Sequence, residues 1–195
     1  MISLKRNSKY ELAPATGLRS RNIYEPGSTK DFKISRGKFS NFLTCERCFY
    51  LDRVKGVVSP SLPGWSLNAA TDELLKKEFD ICRKNKMPHR LFKDYGLDHI
   101  IPLDHPDMDK WRDSLRAGLM DRHKDTNIIL TGGVDDIWFN TNTEELIVVD
   151  YKSQSNKRPV ETWSYLSSIY HEGYKRQLDF YAYLLKEMGF LVAET

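Results

Sequence analysis

The pattern of apolar and polar positions divides the chain into an arm, several helical stretches and one paired β segment. Before Phe32 apolar residues are sparse, and Pro14, Gly17, Pro26 and Gly27 interrupt them, so residues 1–33 read as an extended or mobile arm. From Ile34 the pattern changes. Ser35 stands as an N-cap, and Phe39, Phe42 and Leu43 give the i, i+3, i+4 stripe of a short helix. After a Ser/Pro/Gly loop at 59–64, the residues Leu67, Ala70, Leu74, Leu75, Glu78 and Cys82 recur at helical spacing, predicting an amphipathic helix over 66–83. Residues 84–105 read as loop. Asp104 to Pro106 reads as a helix start, with Met108, Trp111, Leu115 and Leu119 as the apolar stripe behind it. The last helix is expected over 174–188, with Leu178, Ala182 and Leu185 as its seam and Gly189 as its stop, and Phe190 to Ala193 can form a closing strand.

Between these helices lies the stretch that holds the chemistry. Asn127 to Leu130 begins a sheet, and Gly132 to Phe139 and Glu145 to Lys152 are β-branched and aromatic runs separated by the polar break Asn140 to Glu144. A β-hairpin follows. Leu146 and Val148 on one face, with Ile147 and Val149 on the other, describe a strand covered on both sides. Residues two apart on a strand share a face, so Asp150 and Lys152 point the same way and Asp135 can meet them across the hairpin. Two carboxylates and a lysine then converge.

Carboxylate oxygens suit a hard divalent cation, and Mg²⁺ commonly takes one or two carboxylates while keeping waters and phosphate oxygens as its other ligands. A lysine beside it can orient a water and hold a phosphate. That is equipment for cutting a phosphodiester. The plainer reading is a hairpin in which Lys152 pairs with Asp150 or Asp135 and nothing more happens. An acid-x-Lys triplet is common, and Asp31-Phe32-Lys33 is a second one, so its weight comes from the strand context and from the Gly-x-Asp strand before it.

Gly133-Val134-Asp135, Val149-Asp150-Tyr151-Lys152 and Gln177-Leu178-Asp179-Phe180-Tyr181 resemble, in order and spacing, the Gly-x-Asp, Asp-x-Lys and Gln-xxx-Tyr motifs of RecB-like nucleases in the PD-(D/E)XK superfamily. The resemblance covers roughly residues 34 to 190 and implies an α/β, restriction-endonuclease-like core of order αβββαβ, a central mixed β-sheet flanked by helices. It implies a metal-dependent nuclease in which Asp135, Asp150 and the Tyr151 backbone carbonyl bind Mg²⁺ or Mn²⁺, Lys152 activates water, and Gln177 and Tyr181 lie against the active site and nucleic acid. Residues 34–195 would form the single domain.

Two departures from the family pattern matter. Where relatives carry a metal-binding histidine on the helix after a glycine, this chain has Asn68, whose carbonyl can still ligate Mg²⁺ or position a water. Asp72, one turn further on, can take the place or face solvent. The iron–sulfur branch adds three cysteines near the C-terminus to one in a segment like Cys45-Glu46-Arg47-Cys48-Phe49-Tyr50. Here there is none after Cys82, so no iron–sulfur cluster is expected and Cys45 and Cys48 read as buried thiols at a helix junction. Arg47 reads as a phosphate contact or as the partner of a structural carboxylate.

Composition narrows the setting. The chain has 195 residues, 40% hydrophobic and 29% charged, a balance typical of a soluble globular domain. No apolar run approaches membrane-spanning length, Met1 to Leu12 lacks a signal-peptide core, and the expected compartment is the cytoplasm. Net charge is +3, but residues 1–40 hold nine Lys/Arg against three acids, a basic arm that can follow a phosphate backbone or simply solubilise. Lys157 and Arg158, in the polar loop after Lys152, can bear on a substrate backbone or form a solvated turn. Trp163, Tyr165, Tyr170 and Tyr174 admit base stacking, although such spacing more often serves packing, and packing is the expected role. The functional expectation is a Mg²⁺-dependent nuclease acting on single- or double-stranded DNA, with a helicase or repair partner as a companion. The alternative is a nucleic-acid-binding module that keeps the fold without catalysis, and a weaker one is an enzyme of small phosphorylated molecules.

Overall fold

The computed structural model of the chain describes residues 9–12, 17–19, 21–58, 66–153 and 159–194, without the side chains of 66–69. Strand β1 (Phe32–Ser35) runs straight into helix α1 (Arg36–Thr44), and α2 (Glu46–Arg53) follows after one residue. Helix α3 (Ser66–Asn85), a 3₁₀ segment (Arg90–Tyr95), β2 (Ile100–Pro102) and α4 (Met108–Arg112) precede the strand-rich middle. There β3 (Leu119–Arg122), β4 (Ile128–Gly132), β5 (Asp136–Asn140) and β6 (Leu146–Val149) follow one another, and α5 (Thr162–Leu166) and α6 (Glu172–Glu187) complete the order.

The strands form a mixed β layer bent into two three-stranded sheets. In one, β4 lies between β1, parallel to it, and β3, antiparallel. In the other, β5 lies between β2 and β6, both antiparallel. Strands β4 and β5 are consecutive in the chain, and Gly133, Val134 and Asp135 form the bend that hands it from one sheet to the other.

Period-two alternation then assigns the faces of the second sheet. Ile137, Leu146 and Val148 join α6 residues Phe180, Tyr181, Leu184 and Leu185 in the main core. Trp138 and Ile147 turn the other way, onto Phe79 of α3, Phe92 and Ile100. Helix α6 packs on β3, β4 and β6 and so ties the two sheets together, while α3 packs on β2. This is an α/β, restriction-endonuclease-like architecture, a central mixed sheet flanked by helices, as expected.

Several local expectations change. The segment 84–105 is not plain loop: β2 pairs with β5, and His89 is buried, its ring stacked on Phe79 at 4.5 Å. The helix foreseen from Asp104 stops at Arg112. Asp113 accepts the N–H groups of Leu115 and Arg116, each at 3.1 Å, and reverses the chain. Gly118, at φ +85°, completes the reversal, and a Cβ there would stand 2.7 Å from the Gly132 carbonyl oxygen. Leu115 is therefore 94% exposed, while Leu119 is fully buried on β3.

The closing strand shrinks to a parallel bridge between Leu146 and Val192. The packing role expected of the aromatic residues fails at two of four positions, since Trp163 and Tyr170 are 82% and 88% exposed. Part of the arm, by contrast, is docked. The Arg19 N–H donates to the Gly56 carbonyl at 2.7 Å, and Arg19 and Lys38 both pair with Asp52 of α2, at 2.7 and 2.6 Å.

Candidate active site

The hairpin forms as the alternation requires, with Asp136 opposite Val149 and Ile137 opposite Val148. Its ordered ladder ends there. Asp135 and the run Asp150 to Lys152 therefore sit at the open end of the two strands, where side chains are not committed to the core. Together with Asp72, Arg36, Ser114, Tyr174, Gln177 and Tyr181 they line a cleft of about 490 Å³. The five residues nominated from the three motifs all reach it, from the β4–β5 bend, the end of β6 and α6.

Short bonds fix the arrangement. The Asp135 Oδ2 accepts the Tyr151 backbone N–H at 2.9 Å, which links the bend to the far side of the hairpin. Asp150 pairs with Lys152 and accepts the Gln177 amide at 2.7 Å. The Lys152 ammonium lies 5.1 Å from the centre of the Tyr174 ring, a second favourable contact for the same charge. Gln177 is buried, and its amide stands 3.4 Å from the Tyr181 hydroxyl, the neighbour one helical turn on. Burial pushes the Asp150 carboxyl above its ordinary value. Lys152 pulls it down, and the adjacent Asp135 pushes it up again.

The neighbouring aspartate has another task. Side chains alternate along a strand, so Asp136 turns away from Asp135 and is fully buried. It meets Arg83 of α3, Arg112 of α4 at 3.1 Å and the Tyr151 hydroxyl at 2.8 Å. Burial and then Asp136 push the Tyr151 phenol far up, so it remains a donor. Tyr151 thus gives its backbone to the cleft and its ring to the buried ion cluster.

The bend between β4 and β5 is shaped by glycine for reasons of space. A Cβ on Gly132 would collide with the Tyr181 ring, and one on Gly133 with Ser114. Gly132→Ala is accordingly expected to displace Tyr181 and to cost about 1–3 kcal/mol, as overpacking of a core generally does. Urea denaturation combined with near-UV circular dichroism reads both effects, and an unchanged midpoint would contradict the close approach.

Helix α3 supplies a residue that the motifs did not flag. Lys76, one turn beyond Asp72, donates to Asp72 Oδ2 at 2.9 Å and lies 3.2 Å from Asp135 Oδ1. Burial acts to lower its pKa, but the two carboxylates outweigh it and hold Lys76 above its usual value. The four-residue spacing of Asn68, Asp72 and Lys76 on one helical face was the available signal. Arg36, at the start of α1, was missed as well. It lines the cleft, and its Nε is buried without a hydrogen bond.

Other nominated residues lie elsewhere. Arg47 is exposed on α2 and does not line the cleft. The Asn68 side chain, Lys157 and Arg158 lie outside the described residues. Cys45 and Cys48 are partly exposed rather than buried. Cys45 caps α2 through a 3.2 Å bond from the Cys48 N–H, and its thiol stands 2.6 Å from that of Cys48. Cys82 is buried on α3.

The donor set fits a hard divalent cation. Two carboxylates, Asp135 and Asp150, repel one another, the buried Oδ1 of Asp72 has no hydrogen-bond partner, and the Tyr151 carbonyl belongs to the same turn of chain. Among the described residues no three His, Cys, Asp or Glu side chains are grouped closely enough to hold an ion by themselves. Backbone and water oxygens would complete the shell, as is usual for Mg²⁺.

Comparison with curated proteins and with solved structures gives no match. A family model does match, that of the PD-(D/E)XK nuclease superfamily, over residues 89–195. The matched span includes Asp135, Asp150, Lys152, Gln177 and Tyr181, whereas Arg36, Asp72 and Lys76 precede it. Members of the superfamily cleave phosphodiester bonds and generally use divalent metals such as Mg²⁺ or Mn²⁺. With more than half its length in that match and a mixed sheet flanked by helices around the motif residues, this chain belongs to the PD-(D/E)XK nuclease superfamily.

Proposed function

We propose that the chain is a RecB-like, metal-dependent nuclease that hydrolyses phosphodiester bonds in DNA, with Mg²⁺ or Mn²⁺ as its ion. The observation that supports this reading is the meeting of Asp135, Asp150, Lys152, Gln177 and Tyr181 in one cleft. Asp135, Asp150 and the Tyr151 carbonyl would hold the ion, with Asp72 or Asn68 from α3 as a further oxygen donor. When bound, the ion offsets negative charge on the phosphate and polarises a water. Lys152, steadied by Asp150 and the Tyr174 ring, orients the attacking water by hydrogen bonding. Gln177 holds Asp150 in position, and Tyr181 and Arg36 face the incoming strand. Arg47, Lys157, Arg158 and the basic arm would contact the nucleic-acid backbone outside the cleft, where charge rather than sequence is read. Residues 34–195 act as one domain in this scheme, in the cytoplasm, alone or served by a helicase or repair partner.

The test is degradation of linear single- and double-stranded DNA by the purified protein with Mg²⁺, with Mn²⁺ and with a chelator. Metal-dependent release of fragments that ceases in the chelator is the expected result. DNA binding without cleavage under every metal condition would instead support a non-catalytic binding module.

A further inference from the structure

Among the described residues two lysines serve the cleft, and they stand in different places. Lys152 lies with Asp150 and Tyr174, on the side where the water would be oriented. Lys76 reaches in from α3 and lies between Asp72 and Asp135, 2.9 Å from an oxygen of one and 3.2 Å from an oxygen of the other. A Mg²⁺ ion binds its oxygens at about 2.0–2.1 Å. An ion held by Asp135 would therefore crowd an ammonium already within hydrogen-bond distance of that carboxylate, and like charges so close repel strongly.

We propose that Lys76 is an exchangeable counter-ion of the cleft: its ammonium holds Asp72 and Asp135 together in the metal-free protein and must leave them when a divalent cation binds, so that Lys76 sets the metal concentration at which the site fills. The inference rests on the metal-dependent reading above. The side chain is suited to such an exchange. It is a flexible four-carbon stem carrying a compact, strongly hydrated charge, and 25% of it is exposed, so a path to solvent is open. Asp72 is suited too, because its second oxygen is buried without a partner and gains one if the carboxylate turns to an ion. The adjacent Lys77 provides the contrast. It pairs with Glu73 on the solvent side of the same helix, both side chains about two-thirds exposed.

Isothermal calorimetry with Mn²⁺ tests the assignment on wild type, Lys76→Met, Lys76→Arg and Lys77→Met, with Lys76→Gln in place of Met should the apolar side chain impair folding. Removing the competing charge should tighten Mn²⁺ binding on the order of ten-fold or more, given two unit charges within a few ångströms in a partly exposed site. In chelator, Lys76→Met should melt below wild type, since Asp72 and Asp135 lose their shared cation, and added Mn²⁺ should raise its melting temperature more than it raises that of wild type. Lys76→Arg should keep the weaker affinity of wild type, and Lys77→Met should bind as wild type does. Equal or weaker Mn²⁺ binding by Lys76→Met overturns the inference, as does an equal gain in Lys77→Met, which would make the effect one of net charge alone. Asp150→Asn separates this from failure of the parent reading. Binding lost in Asp150→Asn but unchanged in Lys76→Met rejects the counter-ion role and keeps the metal site, whereas no Mn²⁺ binding by wild type rejects both.

Discussion

Asp150→Asn is expected to reduce cleavage by on the order of 10²–10³-fold, while leaving the metal-free protein at least as stable as wild type. The two effects have different origins. Asparagine keeps an acceptor for the Gln177 amide but no longer carries the charge that would hold the ion or fix Lys152, and loss of one pre-organised electrostatic group commonly costs about 10²–10³ in rate. Stability moves the other way because the Asp150 carboxyl is raised in the folded protein, chiefly by burial. A folded-state value above the ordinary 3.8 means that ionisation favours the unfolded chain. The fold carries no such penalty below 3.8, and acquires it as pH rises through the folded value. At neutral pH the substitution removes that penalty. Melting curves in chelator and a plasmid or oligonucleotide degradation assay measure both quantities. Cleavage within a few-fold of wild type would sink the assigned mechanism, and a large drop in melting temperature would mean that Asp150 serves the fold instead.

The opposite profile is expected one residue from the other carboxylate. Asp136→Ala should cost about 3–5 kcal/mol, the range found when one partner of a buried charge pair is removed, because Arg83 and Arg112 are left facing a cavity with only the half-exposed Asp80 as their anion. For a chain of this length that corresponds to a fall of roughly 10 °C in melting temperature. Asp135→Ala should change stability far less and remove activity, since Asp135 is partly exposed at the cleft, and the loss of its bonds to the Lys76 ammonium and the Tyr151 backbone N–H is offset by relief of its repulsion with Asp150. Parallel urea titrations of the two variants decide the matter. Equal midpoints would show that the alternation of the two aspartates across the strand has no energetic consequence.

That alternation explains what was legible in the sequence. A period of two, a turn-forming break and the Gly-x-Asp spacing suffice to choose Asp135 over Asp136, and to bring it to Asp150 and Lys152 across the hairpin. Helix α6 was legible because its seam is long and its stop is a glycine, at φ +92°. Strands β1, β2 and β3 were not. Each has three or four residues, too few for alternation to show, and they owe their conformation to the partners β4 and β5.

Leu119 illustrates the ambiguity. Its distance from Met108, Trp111 and Leu115 fits a helical stripe, yet the turn at Asp113 and Gly118 places it on a strand. The exposed Trp163 and Tyr170 could not be told from core residues by composition, because exposure depends on what the rest of the chain leaves uncovered. Lys76 was hidden for a different reason. Lysine next to lysine on an amphipathic helix reads as solvated, and each stands four residues after an acid, so the spacing from Asn68 and Asp72 is a weak signal until the bend carrying Asp135 separates Lys76 from Lys77.

Tyr151 joins the two aspartates' worlds through one residue, its N–H held by Asp135 and its hydroxyl by Asp136. Arg83 of α3 and Arg112 of α4, which clamp Asp136, are therefore expected to affect the cleft through Tyr151, although neither lines it. A genetic screen for loss of nuclease action would recover alleles at these two arginines among those of the cleft itself. Sorting the two groups would require a melting curve for every allele, since a substrate-facing lesion spares the fold and a clamp lesion does not.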